Sequence, residues 1–301
     1  MTATVAETTG VVTKRHDFLY LFDVKDGNPN GDPDAGNMPR LDPETNQGLV
    51  SDVSLKRKIR DFVQRRHANE PPHVIYVQHG HSLYSQQAKA YDALKLKAKE
   101  DSKDKIADAR NWMCENFFDI RAFGAVMSVK EFNCGQVRGP VQVTFARSIH
   151  PIFQTEHGIT RVAFTKETKQ AETAGSTEMG HKYTVPYGLY AARGYVTPHF
   201  ATDTGFTYAD LELLWEALGM MFEIDRSASR GSMAAQRLYV FEHESSLGNA
   251  PAQKLFGRIE RRINLKDEGK TPRSIDDYNL PKPEDITDLP PSVSLTEKFG
   301  E

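Results

Sequence analysis

The sequence predicts an α+β fold, in which a sheet is packed against helices and interrupted by insertions. Residues 16–25 (HDFLYLFDVK) are rich in aromatic and branched side chains, as β-strands are. Residues 51–66 and 207–222 instead repeat their apolar side chains at helical spacing. Strand-like runs lie between these helices and after the second, and such an order is typical of mixed folds.

The first strand is followed by a polar linker and a helix. Residues 26–48 (DGNPNGDPDAGNMPRLDPETNQG) are so rich in Gly, Pro, Asn and Asp that we expect no regular structure there. Ser51 is a good N-cap, and Asp52 lies in the first turn. The buried stripe is expected to be Leu55, Ile59, Phe62 and Val63. The opposite, basic face carries Lys56, Arg57 and Arg60.

The middle of the chain predicts an insertion and further strands. Residues 73–78 (HVIYVQ) have the composition of a second strand. Residues 86–116 contain many Ala, Lys, Leu and Glu but no Gly or Pro, which predicts one or two surface helices in an insertion at about 80–118. Strand-like runs follow at 140–149 and 158–165.

A polar segment then interrupts the strands. Residues 166–180 (KETKQAETAGSTEMG) are almost without apolar side chains, Met179 being the one large exception. We expect the mobile tip of a hairpin there, ordered only by a binding partner. Residues 183–196 return to β-strand composition.

The second helix opens at Thr207, with Asp210 completing a variant of the capping box. Its expected buried stripe is Leu211, Leu214, Trp215, Leu218, Met221 and Phe222. A strand at 237–243 and a helix at 251–263 follow. The whole order fits a ferredoxin-like or RRM-like βαββαβ unit with large insertions, covering residues 1–275 as one domain.

Charge is unevenly distributed along the chain. The formal net charge is −3, but the Pro-rich C-terminal tail at 276–301 holds seven acidic residues and two lysines. Residues 51–66 hold six basic and two acidic residues, the most basic stretch of the sequence. Because local fields govern phosphate binding, the acidic total does not exclude a nucleic-acid partner.

Several classes of protein are disfavoured. No run approaches the roughly 18 to 20 apolar residues of a membrane span, and the first residues lack the pattern of a signal peptide, so we expect a cytoplasmic protein without a membrane partner. Cys114 and Cys134 form no CxxC pair and are interpreted as small apolar residues. The absence of GxSxG, P-loop, dinucleotide and HExxH motifs predicts no catalytic residue, cofactor or metal.

Two acidic patterns leave metal chemistry open as an alternative. Residues 26–34 match a calcium loop up to its sixth-position glycine, but Asn37 stands where the bidentate glutamate belongs. A magnesium-dependent RNA endonuclease would need clustered carboxylates. The candidate carboxylates are Asp23, Asp26, Asp32, Asp34 and Asp42. Turns require such residues as well. His79 and His81 form a possible metal pair without further ligands nearby.

A family resemblance joins these features. The run at 28–63 (NPNGDPDAGNMPRLDPETNQGLVSDVSLKRKIRDFV) resembles the signature of the type I-C CRISPR backbone subunit, and its SLKR core resembles a helix start of the wider Cas7 family. Further similar strings are DIRAFGAVMS (119–128), GPVQ (139–142), VPYGLY (185–190), MFEIDRSASRG (221–231) and LGNAPA (247–252). Together they span most of residues 16–280.

The resemblance implies an RRM-like palm, a thumb hairpin at about 160–185 and polymerisation along CRISPR RNA without base specificity. The RNA-binding residues that it implies are Ser51, Ser54, Lys56, Arg57, Arg60, Arg40, Arg226, Arg230 and, as a candidate wedge between bases, Met179. Hydroxyls and N–H groups at a helix start suit phosphate oxygens. No strand carries the aromatic string of an RNA-recognition motif, so base stacking on the sheet is not expected.

The resemblance also implies a set of partners. These are CRISPR RNA, target DNA read by base pairing, further copies of the chain in a head-to-tail filament, the RNA end-capping and processing subunit, the large subunit and, indirectly, a recruited helicase-nuclease. The expected function is therefore that of a non-catalytic backbone subunit of the type I-C Cascade complex. Related type III subunits cleave target RNA with an aspartate in the corresponding loop, but this chain lacks their flanking glycine-rich context.

Overall fold

A computed structural model describes residues 10–99, 102–161 and 178–300 of the 301-residue chain. The helices are α1 (Asp52–Arg66), α2 (Leu83–Leu94), α3 (Lys103–Asn116), α4 (Phe118–Phe123), α5 (Pro198–Thr204), α6 (Tyr208–Ile224) and α7 (Ala252–Glu260). The strands are β1 (His16–Gly27), β2 (Gly31–Asp32), β3 (Met38–Pro39), β4 (Gln47–Val50), β5 (Gly124–Met127), β6 (Gly135–Arg138), β7 (Val141–Val143), β8 (Ala146–Pro151), β9 (Thr155–Arg161), β10 (Glu178–Val196), β11 (Ser232–His243), β12 (Asn264–Leu265), β13 (Tyr278–Asn279) and β14 (Val293–Glu297).

A central sheet organises these elements in the order β14-β11-β1-β10-β8-β4, and β7 and β9 also pair with β10. All pairings in this sheet are antiparallel. β1 lies in the middle and pairs with β10 from His16, opposite Val196, to Gly27, opposite Val185. The predicted mixed fold is thus confirmed: α-helices pack against a central antiparallel sheet.

Both faces of the sheet are covered, which explains the nearly continuous apolar run of β1. Successive side chains of a strand point to opposite faces. Phe18 and Tyr20 therefore join the core beneath α1 and α6, while Leu19 and Leu21 join a second core beneath α7. A strand that is buried on both faces cannot alternate between apolar and polar residues.

The two sheet-facing helices begin at the predicted residues. The Ser51 side chain accepts a hydrogen bond from Ser54 N at the start of α1, and Thr207 and Asp210 form a reciprocal capping box at the start of α6. The predicted apolar stripes of both helices are buried. Strands near 16–25, 140–149, 183–196 and 237–243 and helices within 86–116 and 251–263 are likewise confirmed.

The strand predicted at 73–78 is wrong. Val74 forms only an isolated bridge to Phe117. The next backbone N–H groups donate to side chains instead of a neighbouring strand, Ile75 N to Asn69 Oδ1 at 3.0 Å and Tyr76 N to Asp119 Oδ1 at 2.7 Å. The segment is apolar because it is buried: Val74 and Tyr76 pack in the core of the inserted helices, and Ile75 packs in the core beneath α1 and α6.

The prediction that residues 26–48 lack regular structure is also wrong in part. β2 and β3 form a two-residue ladder around a 3-10 turn at 33–35, and β4 begins at Gln47. Polar side chains stabilise these turns: Asn28 Nδ2 donates to Asn37 O at 2.7 Å, and Asp32 Oδ1 accepts from Asp34 N at 3.2 Å. Asn and Asp side chains commonly replace backbone partners in this way.

The acidic C-terminal segment is packed on the sheet up to residue 300. β14 pairs with β11 at the sheet edge, and Tyr278, Ile286 and Val293 are buried in the core beneath α7. Phe299 packs against the core beneath α6, in contact range of the Tyr20 ring at 6.3 Å between centroids.

Both cysteines are free thiols inside the protein. Burial raises the pKa of Cys114 to about 11 and that of Cys134 to about 12, so neither is a thiolate nucleophile at neutral pH.

Within residues 10–99, 102–161 and 178–300, no helix combines the length and the apolar composition needed to cross a membrane.

Candidate nucleic-acid interface

Three segments meet at the C-terminal end of β1: residues 28–31, the start of α1, and residues 225–231 before β11. Asn28 N donates to Ser229 O at 2.8 Å. Asn30 Oδ1 accepts from both the backbone N and the Oγ of Ser51, each at 2.9 Å. The two asparagines after β1 therefore connect the other two segments.

Close backbone contact at this junction requires glycine. A Cβ on Gly27 would lie 1.8 Å from Arg230 O, which no side chain can accommodate. Gly231 has a φ of +63°, and a Cβ there would lie 2.5 Å from Asp26 O. The backbone of residues 230 and 231 is therefore in direct contact with the end of β1.

The start of α1 presents its hydroxyls in two different environments. Ser51 is 8% exposed, and its hydroxyl is engaged with Asn30 and Ser54 N. Ser54 is half-buried on the first turn, where the N–H groups and the helix dipole favour an anion. Of the two predicted serines, Ser54 is therefore the more accessible, and Ser51 shapes the turn.

Each cation of the predicted basic face has a carboxylate partner. The pairs are Lys56 Nζ to Asp52 Oδ2 at 3.1 Å, Arg57 Nη2 to Asp61 Oδ1 at 3.0 Å, and Arg60 Nε to Asp119 Oδ2 at 2.7 Å. α4 covers part of this face, because Lys56 Nζ and the Arg60 guanidinium lie over the Phe123 ring at 5.7 and 5.2 Å. Arg57 is the most exposed of the three.

Sequence reasoning missed Asp119, which is 1% exposed and anchors the insertion to α1. Its carboxylate accepts from Tyr76 N at 2.7 Å, from Val77 N at 3.1 Å and from Arg60. Nearby, the Arg121 guanidinium donates to both carboxylate oxygens of Asp210, at 2.6 and 2.9 Å. The signal was present: two opposite charges interrupt the apolar run FFDIRAF.

A second missed group lies at the start of residues 225–231, which we call the arginine-containing segment. Asp225, directly after α6, has its Oδ2 2.7 Å from Arg230 Nε and also pairs with Lys58 Nζ. Lys58 is 2% exposed, and burial lowers the pKa of its ammonium more than the ion pair raises it. Arg226 projects outward and pairs with Glu223.

Arg40 is attached to the same junction. Its backbone N donates to Asn30 O at 3.3 Å, and its Nη1 lies 3.2 Å from Asp32 Oδ2. The structure therefore brings Arg40, Ser51 and Arg230 together around the asparagines after β1, and the cations of α1 continue this surface along the helix.

A β-arm leaves the sheet at the same end of β1. β10 pairs with β1 only as far as Val185, which lies opposite Gly27. The preceding residues of β10, from Glu178 to Thr184, pair with β9 instead. Met179 is 76% exposed on this arm, opposite Thr160. Residues 162–177, which include most of the predicted tip at 166–180, lie outside the described residues.

Three aspartates of the nuclease alternative, Asp23, Asp32 and Asp42, each have a separate partner. Asp23 is buried and accepts from Tyr187 Oη at 3.0 Å, and burial raises its pKa. Asp42 pairs with Arg147 at 2.6 Å. In the parts of the chain that the structure describes, no three Asp, Glu, His or Cys side chains are grouped so that they could hold a metal ion.

Comparison with known proteins gives a consistent family. A family model described as "CRISPR-associated protein Cas7" matches residues 14–282. A curated relative from Haloferax volcanii, "CRISPR-associated protein Cas7", is 27% identical over 300 residues, covering 91% of this chain and 81% of the relative.

Solved structures give weaker likenesses. One, "CRISPR RNA-guided surveillance complex, pre-nicking", has a TM-score of 0.48 and 14% identity, covering 75% of this chain and 78% of that chain. Another, "Cryo-EM structure of the Type III-B Cmr-beta bound to cognate target RNA", has a TM-score of 0.41 and 9% identity, covering 75% of this chain and 61% of that chain.

Proposed function

The chain belongs to the Cas7 family of CRISPR-associated proteins, and from this premise we propose that it is a non-catalytic backbone subunit that binds CRISPR RNA in a surveillance complex. The observation that carries the proposal is the junction at the end of β1, where Arg40, Ser51, Ser54 and Arg230 meet within the matched residues. The run at 28–63 supports the finer assignment to type I-C.

We also propose an RRM-like palm for residues 1–275. β11 follows α6 and returns to pair with β1 on the side opposite β10, while α1 and α6 share one face of the sheet. This arrangement is expected of a split βαβ unit. The helical insertion at about 80–118 and the thumb at about 160–185 would then be additions to the palm, with residues 276–301 closing its edge.

The ion pairs on α1 suggest an order of importance for the proposed phosphate contacts. Surface pairs such as Arg57 with Asp61 contribute about 0 to 1 kcal/mol, so a phosphate can displace the carboxylate at little cost. The pair of Arg60 with Asp119 is largely buried, and breaking such pairs costs about 3–5 kcal/mol. Arg57 should therefore contribute more to RNA binding than Arg60, and so should Lys56, because its partner Asp52 is 26% exposed whereas Asp119 is 1% exposed.

A salt titration of RNA affinity tests this interface. The double variant Lys56→Ala with Arg57→Ala should weaken binding equally for unrelated RNA sequences and reduce the salt slope by roughly 0.7 per lost contact. Arg65→Ala with Arg66→Ala is the matched control, because it removes the same charge from the other end of α1. An equal loss of slope in both double variants would show that only net charge matters and would contradict the proposed interface.

Assembly along RNA is a second test. A subunit that repeats along RNA needs a head-to-tail contact, which does not close into a dimer. We expect oligomers in gel filtration that form with guide RNA and become shorter with a shorter guide. A stable twofold dimer without RNA would contradict the filament. Target DNA, the large subunit and the end-capping subunit are the further proposed partners.

The non-catalytic character is tested directly. Purified complex is incubated with complementary RNA and magnesium, and the products are sized. We expect intact RNA. Regularly spaced products that disappear in the Asp32→Ala with Asp34→Ala variant would establish the endonuclease alternative.

A further inference from the structure

We propose that Lys58 is a positioning residue, which holds the arginine-containing segment 225–231 in register with the start of α1 through Asp225. This inference rests on the proposed RNA-binding function, because Arg226 and Arg230 belong to the proposed interface. Lys58 itself is 2% exposed and therefore does not contact RNA. It differs in this respect from every other cation of α1 considered above.

The contacts define one connected unit. Lys58 Nζ pairs with Asp225 Oδ2, and Arg230 Nε lies 2.7 Å from the same oxygen. The Lys58 ammonium also lies 6.0 Å from the centre of the Phe222 ring in α6. The Asp225 carboxylate, at the start of the segment, thus lies between the Lys58 ammonium of α1 and the Arg230 guanidinium further along the segment.

The segment has few other attachments that could fix its position. Ser229 O accepts from Asn28 N at 2.8 Å, and the close contact of Arg230 O with Gly27 prevents movement toward β1 but not away from it. The exposed pair of Arg226 with Glu223 contributes little. Removal of the Lys58 ammonium would leave Asp225 with one cation and free the segment to move outward.

Burying the charge of a lysine costs desolvation free energy. An apolar residue of similar length commonly packs between two helices as well or better. Met would fill the same space next to Phe222. The presence of a charged ammonium at this buried position is explained if its ion pair fixes one position of the segment. A non-directional apolar contact does not supply that role.

Charge-changing variants separate positioning from simple electrostatics. Lys58→Met removes a positive charge and Asp225→Asn removes a negative charge. If only charge mattered, the first variant would weaken RNA binding and the second would strengthen it. Positioning predicts that both variants weaken binding, by between about 2-fold and 30-fold for coupling through intermediate residues. The salt slope should be unchanged, because the bound complex keeps its phosphate contacts and only the cost of ordering the segment is added.

The matched control is the pair of Arg66 with Glu216, which joins the same two helices at 3.1 Å on the protein surface. Arg66→Met and Glu216→Gln make the same charge changes and should leave affinity unchanged. Opposite effects of the two buried-site variants, or a slope reduced as for a phosphate contact, would overturn the proposal.

Hydrogen exchange of the RNA-free protein completes the test. Faster exchange of residues 226–231 in Lys58→Met and Asp225→Asn, with α1 and α6 still protected, is the expected result. Unchanged exchange would overturn the positioning role. This measurement needs no RNA, so the two proposals can fail separately. If the wild-type protein does not bind RNA, the proposed function is rejected, but the exchange rates still decide whether Lys58 holds the segment. If Lys58→Met does not fold, Asp225→Asn, which keeps the shape of the side chain, decides the question alone.

Discussion

Replacing Asp119 by asparagine is expected to destabilise the protein strongly although the two side chains have nearly the same shape. The Asp119 carboxylate receives three hydrogen bonds, from Tyr76 N, Val77 N and Arg60 Nε. An amide oxygen can replace Oδ1 opposite Tyr76 N. The amide NH2 would then occupy the place of Oδ2, where it faces two donors and accepts from neither.

The magnitude follows from these contacts. Hydrogen bonds to charged groups contribute about 1.5–3 kcal/mol each, and two of them are lost. Breaking a buried ion pair costs about 3–5 kcal/mol, and because the contact with Arg60 is counted in both figures, we expect a total loss of about 3–5 kcal/mol in the free energy of unfolding. With an unfolding entropy of about 2.1 cal/mol/K per residue, the Tm should fall by about 5–8 °C.

Denaturant and thermal unfolding followed by circular dichroism measure this loss. Glu216→Gln is the control, because it removes the carboxylate of an exposed ion pair on α6 and should change stability by less than about 1 kcal/mol. An Asp119→Asn variant with the unfolding midpoint of the wild-type protein would show that the three hydrogen bonds do not stabilise the fold.

Three further predictions concern stability. Thr207→Ala removes the capping hydroxyl of α6 and should cost about 1 kcal/mol in denaturant unfolding, whereas a Thr207→Ser variant should be nearly neutral. Gly194→Ala would place a Cβ 1.9 Å from an aromatic ring of β1 and should cost about 1–3 kcal/mol or more, while Gly158→Ala, with nothing within 4 Å, should cost far less. The stacked rings of His67 and His73 lie 4.0 Å apart, and burial lowers the pKa of both. Their neutral forms therefore stabilise the fold above about pH 6.5, and this stability should be lost as the pH falls through the lowered folded-state values. A His73→Phe variant should show a smaller loss between pH 7 and 5, and an identical pH profile would contradict the assignment.

Much of the fold was predictable because its signals are local. Capping residues and apolar repeats lie within a few positions of each other, so the starts and buried stripes of α1 and α6 could be derived from the sequence. The strand predicted at 73–78 failed for the opposite reason. Its apolar composition was correct for burial, but the partner of its backbone, Asp119, lies more than forty residues away.

The candidate site shows the same division. The sequence by itself determined that a basic helix follows an Asn- and Gly-rich linker, and that this region is the most positively charged part of the chain. Only the tertiary structure decided which cations are available. Arg60 is engaged with a carboxylate 59 residues away, and Lys58 is buried against one 167 residues away. A helical wheel assigns each residue to a face of its own helix, but whether that face meets water, RNA or a buried carboxylate depends on what the rest of the chain packs against it.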